Sequence, residues 1–365
     1  GLMIRTFRNL HRVDPGFTNP AEIQTARITI PEEQVKAPER VVRMEQAMLD
    51  KISAIHGVRS ASITSSVTMG GYESNDPVYA EDLTYRQGTI PPERRFKWIA
   101  PGYFQTMGQR MLAGRDLTWA EVYSQRPVAL VSENTARELW GTPQAAIGKR
   151  LRVSVKDDWC EVIGVVGDEH TDGVDKQAPT IVYWPIFQKN FEASPVYVQR
   201  SIAFVIRTPR AGTTSLPDEL RQAVWSINAD VPLAEVETVE TLYDRSLVRT
   251  SLTLILLAIA GGMALLLGIV GLYGLISYSV SQRRREIGIR LALGAPLSNI
   301  TRLFLRSGLV LSATGCACGI AAALVLTRLM KSLLFSVSPS DPLTYAAMAV
   351  TLISAAALAS YFPAR

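Results

Sequence analysis

Cysteine and histidine are scarce, three of each in 365 residues. Cys316 and Cys318 lie in one apolar run and Cys160 stands alone, so neither a disulfide framework nor a zinc spacing can be drawn. The histidines, His11, His56 and His170, form no His-Glu-x-x-His pair. No Gly-x-Ser-x-Gly elbow or Cys/His pair accompanies them, and metalloprotease or triad chemistry has no frame. A P-loop is missing too. The nearest stretch, "GTPQAAIGKR" (141–150), puts six residues between Gly141 and Gly148 and Arg150 where a magnesium-binding Ser/Thr belongs. Neither a catalytic constellation nor a resident cofactor or metal is expected of this chain.

Charge is absent over long distances. Thr250–Gln282 runs 33 positions without Asp, Glu, Lys or Arg, Ser307–Thr327 runs 21 and Pro342–Ala364 runs 23. A hydrocarbon core about 30 Å thick needs about 20 helical residues, so three spans are expected, over about 252–280, 303–329 and 343–362. The basic pI of 9.1 invites a nucleic-acid reading, which dissolves once the chain is divided. Residues 1–250 carry 29 Lys+Arg against 31 Asp+Glu, and residues 251–365 carry 9 against 2. Six of those nine, Arg283, Arg284, Arg285, Arg290, Arg302 and Arg306, fall between or beside the first two runs. Such a loop is the positive-inside mark of the cytoplasmic face, and nucleic acid is not an expected partner. Residues 331–342 then lie outside, as does the large domain before residue 250. Arg5, Arg8 and Arg12 point the other way, but large domains translocate largely regardless of charge.

The polar part reads as α/β. "AEIQTARITI" (21–30) alternates like a strand. "PERVVRMEQAMLDKISAIHG" (38–57) opens on Pro and closes on Gly, with Val41, Glu45, Met48, Ile52 and Ile55 at three/four spacing and one polar break, so it predicts a helix. "VRSASITSSV" (58–67) is a second strand. "SIAFVIRT" (201–208), the helix at 216–228 and "VPLAEVET" repeat the order, and two β-α-β halves would form one split sheet. Between them, over about 95–190, an inserted and mostly β subdomain is expected. Its strands are "RPVALVS", "IGKRLRVSV", "CEVIGVVG" and "TIVYWP", and its helix at 132–141 has a Ser cap and a Gly stop. No Pro or Gly interrupts Thr238–Ala260, which predicts one helix leaving the outer domain for the membrane. The expected parts are 1–18, read as the end of a largely missing first span and its linker; 19–250, the outer domain; and 251–365, the three-span module.

Three further motifs carry weight. "GDEHTDGVDKQ" (167–177) overlays half an EF-hand through Asp168, His170, Asp172 and Gly173, but Pro179 stands where the bidentate Glu belongs. A solvated acidic loop is the expectation. Gly315 and Gly319 have the small-x-x-x-small spacing of packed membrane helices. No span has a charge at its middle, unlike most ion-coupled carriers. Finally, "RRREIGIRLALGAP" (283–296) predicts a short amphipathic helix stopped by Gly294 and Pro296, with Glu286 and Arg290 able to pair for about 0.2–0.5 kcal/mol. It serves equally as a docking helix or as a topological anchor.

"RRREIGIRLALGAPLSNITRLFLRSG" closely resembles the loop after the first of three clustered spans in MacB/FtsX-type permeases of ABC transporters. "LTRLMKSLLFSVSPSDPLTYAAMAV" and "ASYFPAR" extend the likeness through the C-terminal module. "GLMIRTFRNLHRVDPGF" and "GYFQTMGQRMLAGRDLTWAE" resemble that family's extracytoplasmic core. The head and tail are most similar to the second half of duplicated permeases. The resemblance implies an inner-membrane permease with a large periplasmic domain and a separate ATP-binding subunit docked on 283–296. Arg285, Glu286, Ile287, Gly288, Arg290, Gly294 and Ala295 match the motif and are the implied coupling residues; Gly315 and Gly319 would pack helices. It also implies a dimer or pseudo-dimer with a second permease half, and a periplasmic adaptor or outer-membrane channel as further partner. Efflux by mechanotransmission is the implied function; signalling to an extracytoplasmic enzyme such as a cell-wall hydrolase, or lipoprotein release, is the alternative.

Overall fold

The computed structural model describes residues 13–86 and 90–282, together with Thr314, Gly315 and Gly319. One compact unit is Asp14–Val248; the remaining residues form the other.

The strands are β1 (Ile23–Thr29), β2 (Ser60–Thr64), β3 (Asn75–Pro77), β4 (Tyr79–Ala80), β5 (Glu93–Ile99), β6 (Met111–Gly114) and β7 (Val128–Ser132). They continue with β8 (Arg150–Arg152), β9 (Cys160–Val166), β10 (Ile181–Pro185), β11 (Phe187–Phe191), β12 (Ser194–Val198), β13 (Ser201–Arg207) and β14 (Ala234–Thr238). The helices are α1 (Pro38–Ser53), α2 (Tyr103–Met107), α3 (Trp119–Tyr123), α4 (Glu133–Trp140), α5 (Pro143–Ala146), α6 (Leu216–Trp225) and α7 (Val239–Gln282).

The two β-α-β halves interleave as the repeated order predicts. β13 lies between β1 and β2, antiparallel to both, and β14 closes the far side of β1. The resulting order β14-β1-β13-β2 is that of a split β-α-β sheet. Both amphipathic helices pack together on it. The same sheet continues through Thr64 and Ile99 into β5-β10-β7-β9-β8-β4, with β3 beside β5 and β6 beside β9. That second section draws its strands from Asn75 to Pro185 and is mixed: β5/β10 and β7/β9 are parallel, β10/β7 antiparallel.

Local chemistry explains the helix ends. The Ser132 hydroxyl accepts from the Thr135 N–H, and Gly141 stops α4 with φ 83°, a conformation that costs glycine nothing. The hairpin β11–β12 covers an aromatic cluster in which Trp98 and Tyr197 stack at 5.5 Å and Phe191 meets Trp184 at 4.9 Å. α7 runs 44 residues, about 66 Å at the α-helical rise. The uncharged stretch 250–282 lies within it, where the first span was expected. Counting the described residues alone, no helix is long and apolar enough to cross a membrane. The other two expected spans lie outside the described residues apart from three helical positions.

The polar break in α1 is fully buried. Glu45 is 0% exposed, and neither carboxylate oxygen has a hydrogen-bond partner. Burial pushes its pKa well above the ordinary value, against the weaker pull of Arg200. The folded chain therefore holds this proton more tightly than the unfolded chain does. The stability this gives is complete below the unfolded pKa, about 4.3, and is lost as pH rises through the folded one. Glu45→Met is expected to raise the melting temperature of the purified chain. The gain should be larger at pH 8 than at pH 5 and of the order of 1–3 kcal/mol at the higher pH.

Candidate functional site at the base of the stalk helix

The first turns of α7 are held by the outer unit. Thr238 caps them, its hydroxyl accepting from the Thr241 N–H at 3.1 Å. Val239 and Leu242 are buried. The Tyr243 ring meets Phe17 edge-on at 6.2 Å. The Ser246 hydroxyl lies 2.7 Å from the Tyr243 carbonyl and 3.4 Å from Met69 Sδ. Met69 adopts φ 64°, a left-handed backbone that is uncommon for a side chain of this size. Its N–H donates to the Thr171 carbonyl at 2.9 Å, which joins two loops, 65–72 and 167–175, beneath the helix.

The second loop also receives the incoming chain. The His170 N–H donates to the Pro15 carbonyl at 3.0 Å. Gly16, with φ 89°, crosses so closely that a Cβ there would lie 2.3 Å from the Asp168 carbonyl oxygen. Residues 14–18 thus meet the segment 167–175, which we call the collar, and residues 239–248 reach it through Met69.

Asp168 and Asp172 of the collar are engaged in different directions. Asp168 accepts from the Asn134 N–H at 2.8 Å; burial raises its pKa. Asp172 receives both Arg95 terminal nitrogens, at 2.9 and 3.0 Å. Burial disfavours its charge, but Arg95 outweighs that and leaves the pKa lowered. His170 Nδ1 lies 2.8 Å from the Lys176 carbonyl. The EF-hand-like residues therefore point apart, and their partners are an amide, a guanidinium and a carbonyl.

Glu169 turns inward. Its Oε1 is 2.8 Å from Lys97 Nζ in the middle of β5, and the side chains are 2% and 1% exposed. The Tyr183 hydroxyl donates to the same oxygen at 2.8 Å, and the Thr68 hydroxyl donates to the other. Lys97 Nζ donates in addition to Thr68 Oγ1 at 3.1 Å and to the Tyr103 hydroxyl at 3.3 Å. Burial lowers the Lys97 pKa and Glu169 resists that shift. Desolvation also raises the Tyr103 and Tyr183 pKa values, and the Glu169 charge adds to it.

A second tie reaches β14. Arg27 donates to Glu235 at 2.9 Å and to the Ser65 carbonyl at 3.1 Å, with its guanidinium 3.6 Å from the Tyr72 ring centre. Tyr72 in turn donates to Glu235.

The expected coupling residues Arg285, Glu286, Ile287, Gly288, Arg290, Gly294 and Ala295 lie outside the described residues. Gly315 and Gly319 are both helical. The buried pair has one signal in the sequence, a lysine inside the apolar strand "FKWIA"; Glu169 itself falls between the calcium-type positions of 167–177, where no spacing marks it.

Three variants test the collar and its latch. Gly16→Ala is expected to lower the melting temperature and open the chain to protease near residues 14–18, with a loss of about 1–3 kcal/mol from backbone strain. Lys97→Met is expected to cost about 3–5 kcal/mol, because it strands a buried carboxylate. Lys97→Met/Glu169→Leu should recover most of that loss in the same thermal measurement.

Comparison with known proteins places this architecture. The MacB-like periplasmic core domain matches residues 5–239, and the FtsX-like permease C-terminal domain matches residues 258–365. The macrolide export ATP-binding/permease protein MacB of Burkholderia cenocepacia (strain HI2424) is 27% identical over 270 residues, covering 71% of this chain and 37% of that one. MacB 1 of Aeromonas hydrophila subsp. hydrophila is 26% identical over 337 residues, covering 86% and 48%. The chain therefore spans less than half the length of these curated relatives. The periplasmic region of MacB from Actinobacillus actinomycetemcomitans aligns with a TM-score of 0.40 and 13% identity, over 66% of this chain and 97% of that one. With one domain match covering well over half of its length and a second covering most of the rest, the chain belongs to the MacB-like family of ABC transporter permeases, a MacB-like periplasmic core domain followed by an FtsX-like permease module.

Proposed function

We propose that this chain is an export permease driven by an ATP-binding subunit, and that it works by passing motion through α7 to its outer unit. The observation that carries the reading is that a single helix runs from the end of one domain match into the other. The core domain match ends at residue 239, the permease match begins at 258, and α7 spans Val239–Gln282. A helix whose hydrogen bonds are internal is a stiff connector, while a glycine-rich linker would absorb displacement. Export is favoured because the curated relatives are named for macrolide export.

On this reading the chain crosses the inner membrane through the spans near 252–280, 303–329 and 343–362. Residues 283–296 face the cytoplasm against the ATPase. Glu286 and Arg290 hold that helix in register, and Gly294 and Ala295 let it approach closely. Gly315 and Gly319 pack the bundle, and a second permease half completes it. The outer unit faces the periplasm, where an adaptor or channel receives the substrate.

The test is affinity capture of the full chain from native membranes in mild detergent, with mass spectrometry of what accompanies it. An ATP-binding subunit should come down with wild type and fall at least tenfold, about 1.4 kcal/mol, with Glu286→Lys or Arg290→Glu. A cell-wall hydrolase in place of an adaptor or channel would turn the reading toward signalling. Retention of the ATPase by both variants would return 283–296 to a topological role.

A further inference from the structure

The Lys97–Glu169 pair is a poor way to gain stability. Desolvating two charges costs several kcal/mol per ion, and packed apolar side chains of similar volume often do as well or better. What the pair does supply is geometry. All three ammonium protons have an acceptor, on Glu169, Thr68 and the Tyr103 hydroxyl. Both Glu169 oxygens have a hydroxyl donor, from Tyr183 and Thr68. One buried ion pair therefore fixes β5, β10, α2, the loop 65–72 and the collar against one another. Lys97 and Tyr183 are direct neighbours in the β5/β10 register.

One of these segments touches the stalk and another lies beside it. Met69, next to Thr68, meets Ser246, and Gly173 of the collar is near enough that an added Cβ would lie 3.9 Å from the Ser246 Cβ. The collar also holds Pro15 and Gly16. The other attachment of the stalk, the chain itself, passes through β14. That strand is the sheet's edge, its ladder to β1 slips between Thr25 and Arg27, and its first residues are exposed. Such an edge yields more easily than the middle of a sheet.

We propose that the collar, latched by Lys97 and Glu169, is a second attachment of the stalk helix. It delivers displacement of residues 239–248 to β5 and β10 in the middle of the sheet. Lys97, Glu169 and Thr68 are then positioning residues for transmission. Their role in transport rests on the permease reading above; the attachment itself does not.

The experiment is hydrogen–deuterium exchange of the full chain in lipid nanodiscs. Wild type is compared with Lys97→Met/Glu169→Leu, which removes both charges and leaves neither stranded. Exchange at 14–18, 167–175 and 239–248 should rise about tenfold or more, while β1 and β13 keep wild-type protection. Unchanged exchange at 239–248 would mean that β14 alone holds the stalk, and a uniform rise through every strand would reduce the pair to a structural role; either result overturns the proposal. Should the double variant fail to fold, Glu169→Gln, which removes one charge and keeps groups able to meet the Thr68 and Tyr183 hydroxyls, replaces it in the same measurement. A rise confined to those three segments supports the latch, and unchanged exchange at 239–248 refutes it. A third arm adds the ATPase captured with the chain and a non-hydrolysable nucleotide to wild type. A nucleotide-dependent change at 167–175 supports the transmission role. No change, with the attachment intact in the first arm, removes the transmission role and leaves the attachment standing, whereas failure to capture any ATPase removes the permease reading.

Discussion

A buried ammonium can be kept charged only if each of its protons has an acceptor and its charge has a counter-ion close by. Lys97 meets both conditions, and meeting them dictates much around it. Thr68 has to lie within reach of two groups, so the loop 65–72 must turn inward, and Met69 follows in a left-handed conformation. Glu169 has to enter the core from an exposed loop, so its neighbours Asp168 and Asp172 are left facing outward to find partners in α4 and in Arg95. The base of the stalk helix rests on the surface that these two loops make. Local backbone shape here is set by a tertiary electrostatic requirement.

That dependence explains which parts of the molecule can be read from the sequence. Elements whose information is local are legible. The helix at 38–53, the Ser132 cap with its Gly141 stop and the strands of "VALVS" and "CEVIGVV" each satisfy their own periodicity and end signals. The interleaving of the two halves is legible from their repeated order. The joint is not. Lys97 and Tyr103 are far in sequence from Glu169 and Tyr183, and no spacing rule connects the two sets. Glu45 misleads in the same way. On the helical wheel it reads as a tolerated polar break, whereas in the fold it occupies a core position with no partner. The collar's resemblance to an ion-binding loop was local as well, and its carboxylates diverge once each has its tertiary partner.

Charge is used differently in the two parts of the chain. Before residue 250 the signs nearly balance and are consumed in pairs such as Arg94–Glu138 at 2.8 Å and Arg115–Glu121 at 2.5 Å. The Arg115 hydrogen bond drives the Glu121 pKa down to about 2. After residue 250 the signs do not balance, and the arginines cluster between uncharged runs. The first pattern stabilises a fold in water. The second is the pattern expected of a chain oriented by a bilayer. A single net charge for the whole sequence hides both.

The close approach of Pro15 and Gly16 to the collar on which the stalk also rests has a consequence for how such a unit is acquired and exchanged. A domain whose two ends lie close together can be inserted as a cassette between two neighbouring segments of a host without spreading them. The unit Asp14–Val248 meets that condition. Everything distal to the joint can therefore lengthen, shorten or be replaced while the geometry seen by the segments it interrupts stays the same.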